Sequence, residues 1–368
     1  MALFNRIQSP LATLIPFIPA EEAAKMAYPP NALPGARNVE TFYGAMRVYE
    51  WGPEDGSKVL FVHGDATPCL IFSKIAQGLV DAGHRVMLFD LWGRGYSDTP
   101  LDCRHDVRLF ATQILMALTS SSLSWIGNEN KFSIVAFSLG APISLAFAGA
   151  FPASIRSMVL LAPAGLIRKL PKDYEDLFIH QPDVAPSQES VREKVRQILG
   201  VAPSGPTSGV QLDQHPVVSP ESLEGVYLGS SERGRGPSRV QRDFDMEGIL
   251  QWQFDHHRGH IHSFQDTVRY GPLQRTGDLW RKVCDIIAGR TRIDTPLHES
   301  KLLVFFGRND DVVVGEETTE DILKLLPPSH LQIEYLPGGH GFPYPSSREI
   351  TQCLLSFWSL TTVKLSNI

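Results

Sequence analysis

The run from Phe132 to Phe151, "FSIVAFSLGAPISLAFAGAF", carries no charged residue. It is therefore either a membrane span, which needs roughly 20 apolar residues, or a buried segment of a folded core. Its internal order separates the two readings. "FSIVAF" has the β-branched and aromatic residues of a strand, and "SLGAP" has the small residues of a sharp turn that leads into a helix. Ala136 and Gly140 are small where the strand and helix backbones would crowd. Pro142 falls in the first helical turn, where a missing N–H is tolerated. This reading predicts strand, turn and helix with Ser138 at the apex, and no stable membrane insertion.

The flanking sequence repeats that alternation. "MRVYEWG", "KVLFVHG", "RVMLFD" and "IRSMVLLAP" read as strands, while "CLIFSKIAQGLVDAGH" and "DVRLFATQILMALTSS" read as helices. After residue 296 the pattern resumes with strand "KLLVFFGRNDD", helix "EETTEDILKLLP", strand "LQIEYLPGGHG" and helix "REITQCLLSFWSL". Continuous apolar strands alternating with helices predict an α/β fold: a mostly parallel sheet with helices on both faces.

Between them the texture changes. "RKLPKDYEDLF" and "ESVREKVRQILG" are charged and helical, residues 201–241 are rich in Gly, Pro and Ser with little periodicity, and helical patterning returns near "DMEGILQWQFDHHRGHIHSFQDTVRYG". This zone lacks strands for a second sheet, so it reads as a lid inserted into one domain. The expected organisation is an N-terminal arm over 1–40, a first core part over 41–165, a lid or cap over 166–295 and a second core part over 296–368.

Composition narrows the partners. Hydrophobic residues make up 43% and charged residues 20% of the chain, as in an ordinary globular protein with a full core. A formal net charge of -6 gives no electrostatic reason to expect nucleic acid or an anionic membrane. Cys69, Cys103, Cys284 and Cys353 are scattered and form no CxxC pair, so no zinc or redox site is signalled, and reduced thiols in the cytoplasm are expected. "MALFNRIQSPLATLIPFIPAEE" is interrupted by Pro10, Pro16 and Pro19 and lacks a clear cleavage site, so it reads as an arm rather than a secretory signal. Nothing in the sequence signals oligomeric state.

The chemistry begins with Ser138. A serine hydroxyl is a weak nucleophile at neutral pH, so it needs a base, and the base needs a third group to hold its tautomer. His340, in "LPGGHGF", follows the last strand through two glycines. Asp310, in "FFGRNDD", follows the strand before it; its neighbour Asp311 competes for the role, and the spacing from Gly307 favours Asp310. Each of the three sits at a strand's carboxyl end, in the chain order Ser, Asp, His known from nucleophile-elbow enzymes.

Five segments in order, "FVHGD", "LFDLWGRGYSD", "AFSLG", "GRNDDVV" and "GGHG", resemble the motifs of the α/β-hydrolase superfamily, over about Met46 to Leu360. The resemblance implies an α/β-hydrolase fold and a serine hydrolase with Ser138 as nucleophile, His340 as base and Asp310 as its orienting acid. It implies an oxyanion hole from the backbone N–H groups of Asp65 and Leu139, acting on an ester or thioester of a small metabolite without a cofactor. "HGDATPCLIFSKIAQGLVDAGHRVMLFDLWGRGYSDTP" also looks like fungal hydrolases, some of which accompany polyketide assembly lines. A biosynthetic catalyst of cyclisation or condensation, or a ligand-binding receptor, are the alternatives within the superfamily.

Two departures stand out. Ala136 replaces the first glycine of the G-x-S-x-G elbow. Asp65 places a carboxylate beside the expected oxyanion donor, where it would oppose developing negative charge unless it points away or is protonated. A serine rather than an aspartate nucleophile argues against epoxide hydrolase and haloalkane dehalogenase chemistry.

Other residues have bland and functional readings. Asp90 and Asp98 are expected to brace the "GRGYSD" turn. His63 reads first as an architectural group beside the oxyanion loop and is also a pocket candidate. His256 and His260, four apart, would share a helix face and suggest a metal pair, but no acidic or cysteine ligand completes a zinc motif, so no metal is expected. Trp252, His256, His257 and Phe264 are candidate pocket residues of the lid, although lid or core packing is the commoner role for such side chains; Phe254 would add to the same aromatic lining.

Overall fold

Eight strands make a single sheet in the order β1-β2-β4-β3-β5-β6-β7-β8 in the computed structural model, which describes residues 19–127, 129–178, 188–202, 243–291, 295–298 and 300–365. The strands are β1 (Ala36–Thr41), β2 (Gly44–Trp51), β3 (Lys58–Val62), β4 (Arg85–Phe89), β5 (Phe132–Phe137), β6 (Ile155–Leu161), β7 (Leu302–Gly307) and β8 (Leu331–Leu336). β1 and β2 run antiparallel to their neighbours, and the remaining pairs are parallel. β5 lies at the centre between β3 and β6, every residue of it buried.

The β3 to β4 connection runs toward the β1 edge, whereas those from β4, β5, β6 and β7 run toward β8. Right-handed crossovers then put α1 (Ser73–Asp81) on one face, and α2 (Val107–Thr119) and α3 (Gly140–Ala150) on the other. The helices α4 (Lys172–Phe178), α5 (Gln188–Leu199), α6 (Met246–His256) and α7 (His260–Tyr270) lie between β6 and β7 and pack on one another. α8 (Gly277–Ile287) leaves that group and packs against α3, beside the sheet. α9 (Gly315–Leu323) links β7 to β8, and α10 (Ser347–Leu365) closes the chain against α1.

The uncharged run is thus divided between β5 and α3, and it carries no charge because both elements are almost wholly buried. Among the described residues no helix is long and apolar enough to cross a membrane. β1 is a strand that an apolar-run pattern does not mark: "ARNVET" alternates exposed and half-buried positions at the sheet edge. Most of the expected low-periodicity loop, residues 203–242, and residues 1–18 of the expected N-terminal arm lie outside the described residues.

Candidate active site

Ser138 occupies the turn between β5 and α3 with φ of 51°, a left-handed conformation that a side chain makes costly and that persists only where its surroundings enforce it. Its N–H donates to Leu161 O at 2.9 Å, and its carbonyl accepts from Ala141 N–H at 3.0 Å and Ala164 N–H at 3.1 Å. Two glycines let the backbone close around it. A Cβ on Gly140 would lie 2.1 Å from Val62 O, and one on Gly64 would lie 3.1 Å from both the Phe137 ring and Ser138 Cβ. Ala136 is fully buried within β5, level with Val62 and Leu160.

Asp310 and His340 reach the same point from the ends of β7 and β8. The turn after β7 is closed by Asn309 N–H donating to Gly338 O at 3.0 Å, and Gly338 takes φ of 105° to let the histidine loop approach. Asp310 Oδ1 accepts from Val312 and Val313 N–H, both at 2.9 Å, which leaves Oδ2 for His340 Nδ1 at 2.8 Å. His340 Nε2 lies 2.9 Å from Ser138 Oγ, with the Phe137 ring 5.0 Å from the imidazole. With Nδ1–H donated to a carboxylate, Nε2 is the lone-pair nitrogen that can accept the serine proton. Asp310 is buried and Asp311 exposed, so the structure brings together Ser138, His340 and Asp310 and leaves Asp311 outside the chain of hydrogen bonds.

Asp65 follows Gly64 immediately and so sits next to Ser138 on the loop after β3. Leu139 is the N-cap of α3, just ahead of the first helical N–H groups, which have no partner within the helix. The Asp65 carboxylate is not left bare. Arg94, fully buried in the turn after β4, donates to Asp65 Oδ1 and, through Nε, to Asp65 O at 3.1 Å. Burial lifts the Asp65 carboxyl above its ordinary range and lowers Arg94, and each partner opposes the other's shift.

The bracing aspartates sit in the same turn. Asp90 accepts from Cys69 N–H at 3.0 Å, Tyr96 N–H at 2.9 Å and the Tyr28 hydroxyl at 2.8 Å, and Asp98 accepts from Ala45 N–H at 2.7 Å. His63 lies beneath them, its Nδ1–H on Gly64 O at 2.8 Å and its Nε2 accepting from Leu91 N–H at 2.7 Å. Burial pushes that imidazole down to about 3. Fully buried and with both ring nitrogens occupied by backbone, His63 ties the loop after β3 to the turn after β4 and does not line a pocket.

The lid candidates disperse. α6 ends at His256 and α7 begins at His260, with His257 in extended backbone between them, so the expected shared helix face does not form. The break falls at His257, whose extended backbone ends α6, while Gly259 stays in α-region backbone and lies close against Thr99. His257 Nε2–H donates to Ser97 O at 2.8 Å, and Trp252 donates to Met26 Sδ at 3.2 Å while packing on Tyr28 and Tyr96. Both therefore pack α6 and the segment after it against the sheet core. Phe254, buried on the same helix, lies under the Arg192 guanidinium, and His256 is half-buried beside the Trp252 ring. Among the described residues no group of three His, Cys, Asp or Glu is placed to hold a metal ion.

Two residues not singled out in the sequence belong to the site. Arg94 is one; the signal for it was the problem of Asp65, since a buried carboxylate calls for a cation. Tyr174 on α4 is the other. Its ring lies 6.1 Å from buried Phe264, and burial, with the Asp65 and Asp311 carboxylates adding to it, pushes its phenol well up.

A sequence model described as the alpha/beta hydrolase fold matches residues 58–344. A serine hydrolase-like protein of Danio rerio is 28% identical over 137 residues, 37% of this chain and 39% of that protein. A serine hydrolase-like protein of Dictyostelium discoideum is 31% identical over 121 residues, 32% of each. The chain thus spans about two fifths or less of the length of these curated relatives. Among solved structures, the carboxylesterase CesB of Bacillus subtilis superposes with a TM-score of 0.58 at 15% identity, covering 92% of this chain and 95% of that one. At that identity the likeness concerns the fold.

Proposed function

Because the chain belongs to the α/β-hydrolase fold family, we propose that it is a serine hydrolase that cleaves an ester, thioester or related acyl bond of a small, hydrophobic metabolite. The observation that carries this reading is the continuous chain Ser138 Oγ, His340, Asp310, with contacts of 2.9 and 2.8 Å at a strained turn. A strained serine held within reach of an imidazole that is itself fixed by a carboxylate is what nucleophilic acyl transfer requires.

In this mechanism His340 Nε2 takes the Ser138 proton as Oγ attacks the carbonyl carbon. Asp310 keeps Nδ1 protonated and stabilises the imidazolium that forms. The Asp65 and Leu139 N–H groups receive the oxyanion, a contribution of about 3 kcal/mol per donor in comparable sites. His340 then returns the proton to the leaving oxygen or sulfur, and a water deprotonated by His340 releases the acid. These steps draw on no cofactor. A role in secondary metabolism is the finer form of the proposal, and it rests on the look of residues 63–100, which resemble fungal hydrolases, some of which accompany polyketide assembly lines.

A fluorophosphonate probe tests the reading. The wild type is expected to label covalently and to hydrolyse p-nitrophenyl butyrate, and Ser138→Ala to do neither. Absence of labelling in a folded wild type, or equal labelling of Ser138→Ala, removes the hydrolase assignment.

A further inference from the structure

Arg94 joins three parts of the molecule that are distant in sequence. Within the turn after β4 its Nη1 donates to Trp92 O at 2.7 Å. On the loop after β3 it holds Asp65 twice, through the backbone carbonyl and through Oδ1. On lid helix α7 it donates to Ser263 Oγ and, at 2.9 Å, to Thr267 Oγ1. The guanidinium is fully buried, so each of these bonds is made away from water, where charge-assisted contacts are strongest.

Holding the carbonyl and the carboxylate of one residue restrains ψ and χ1 at its Cα and hence where its backbone nitrogen sits. That N–H belongs to the residue that follows Gly64, whose Cα already lies against Ser138. We propose that Arg94 is a positioning residue for the oxyanion: it sets the Asp65 N–H toward Ser138, cancels the carboxylate beside that donor, and makes both depend on the seating of α7. The proposal rests on the acyl-transfer reading above and assigns a role to the one residue that otherwise argues against it.

The surroundings give this role a pH signature. The titratable groups facing the pair are His63 on its own loop, His105 ahead of α2, His257 and His260 around the start of α7, Asp266 on α7 and Tyr174 on α4. Burial holds His63 and His105 at about 3, His257 at about 4 and His260 well below its ordinary value, while Tyr174 is raised. These histidines and the tyrosine stay neutral between pH 6 and 9. Without Arg94, the Asp65 carboxyl loses the cation that lowers it, and burial raises it further.

The test uses the full chain, with p-nitrophenyl butyrate turnover and fluorophosphonate labelling from pH 6 to 9. Arg94→Met is expected to lose about 100-fold in kcat at pH 8 with KM within about threefold, and to lose less as pH falls, because burial raises the Asp65 carboxyl and no cation is left to oppose it. Adding Asp65→Asn to Arg94→Met is expected to remove that pH dependence and to recover at least about tenfold at pH 8, whereas a merely structural arginine predicts a double variant as poor as the single one. Arg94→Lys, the variant safer for folding, keeps the charge but loses the fork, so about tenfold is lost evenly across pH. If both single variants match the wild type, or if the double variant recovers nothing, the proposal is overturned; if Arg94→Met does not fold, an unchanged kcat in Arg94→Lys overturns it alone. A folded wild type that neither labels nor turns over removes the acyl-transfer reading and this role with it, whereas a wild type that labels confines any failure to Arg94.

Discussion

Asp310 gives one carboxylate oxygen to the backbone and the other to His340. Oδ1 is held by two N–H groups of its own turn and Oδ2 lies 2.8 Å from Nδ1, so the carboxylate cannot rotate away without losing both backbone bonds. The imidazole tautomer is therefore fixed by the fold before any substrate arrives.

Replacing that acid isolates its role. Asp310→Asn presents either an amide N–H or a carbonyl to Nδ1 and no longer carries the charge that balances an imidazolium, so kcat is expected to fall by about 10⁴. Asp311→Asn, at the exposed neighbour, is expected to stay within about threefold. Steady-state turnover of both variants checks this, and a larger loss in Asp311→Asn would reverse the assignment of the acid.

Gly140 is expected to tolerate no side chain. Its Cβ position lies 2.1 Å from Val62 O, and Val62 cannot retreat because β3 is hydrogen-bonded between β4 and β5. Gly140→Ala should destabilise the chain by more than about 4 kcal/mol, in the range reserved for buried backbone conflicts. A thermal melt within a few degrees of the wild type would show that the elbow is not closed as described.

Ser138, Asp310 and His340 were legible because each follows a strand and precedes a glycine-rich or polar turn, so local pattern alone sends them to one sheet edge. The contacts of Arg94 were not legible in the same way. Arg94 and Ser263 are 169 residues apart, and nothing local distinguishes Arg94 among the 34 Lys and Arg side chains. The histidine pair failed for the same reason: the spacing of His256 and His260 suits one helix, but His257 turns to extended backbone and donates to Ser97 O, 160 residues away. Edge strand β1 escaped because it faces water on one side and lacks the apolar run that marks a buried strand.

Burial of neutral histidines makes the fold acid-sensitive. His63 and His105 are held at about 3, His257 at about 4 and His260 well below its ordinary value, against about 6.5 in the unfolded chain. Between those values the unfolded state binds protons that the folded state refuses, so stability falls as pH drops below about 6.5, by up to about 1.4 kcal/mol per pH unit per histidine. Asp65 and Asp90, whose carboxyls are raised by burial, oppose this nearer pH 4, because the folded state protonates them first. Urea unfolding is expected to show at least about 3 kcal/mol less stability at pH 5 than at pH 7.5. A flat profile over that interval would mean the histidines are not buried as neutral groups.

Ala136 stands where the family motif has glycine, and the structure shows how that is accommodated. The close backbone approach falls on Gly140 and Gly64, while Ala136 points its methyl into a fully buried site level with Val62 and Leu160. Ala136→Gly should therefore cost stability rather than relieve crowding. The lost methyl contributes about 0.8 kcal/mol, and the freer unfolded chain about 0.5–1 kcal/mol more, for a total near 1.5 kcal/mol. In a chain of this size that lowers the melting temperature by a few degrees. Turnover should stay within about threefold, because Ser138 is held by its bonds to Leu161, Ala141 and Ala164, none of which involves the Ala136 side chain. Melting and kcat measured on the same preparation decide the matter: a gain in kcat of tenfold or more in Ala136→Gly would show that the methyl displaces the Ser138 hydroxyl after all.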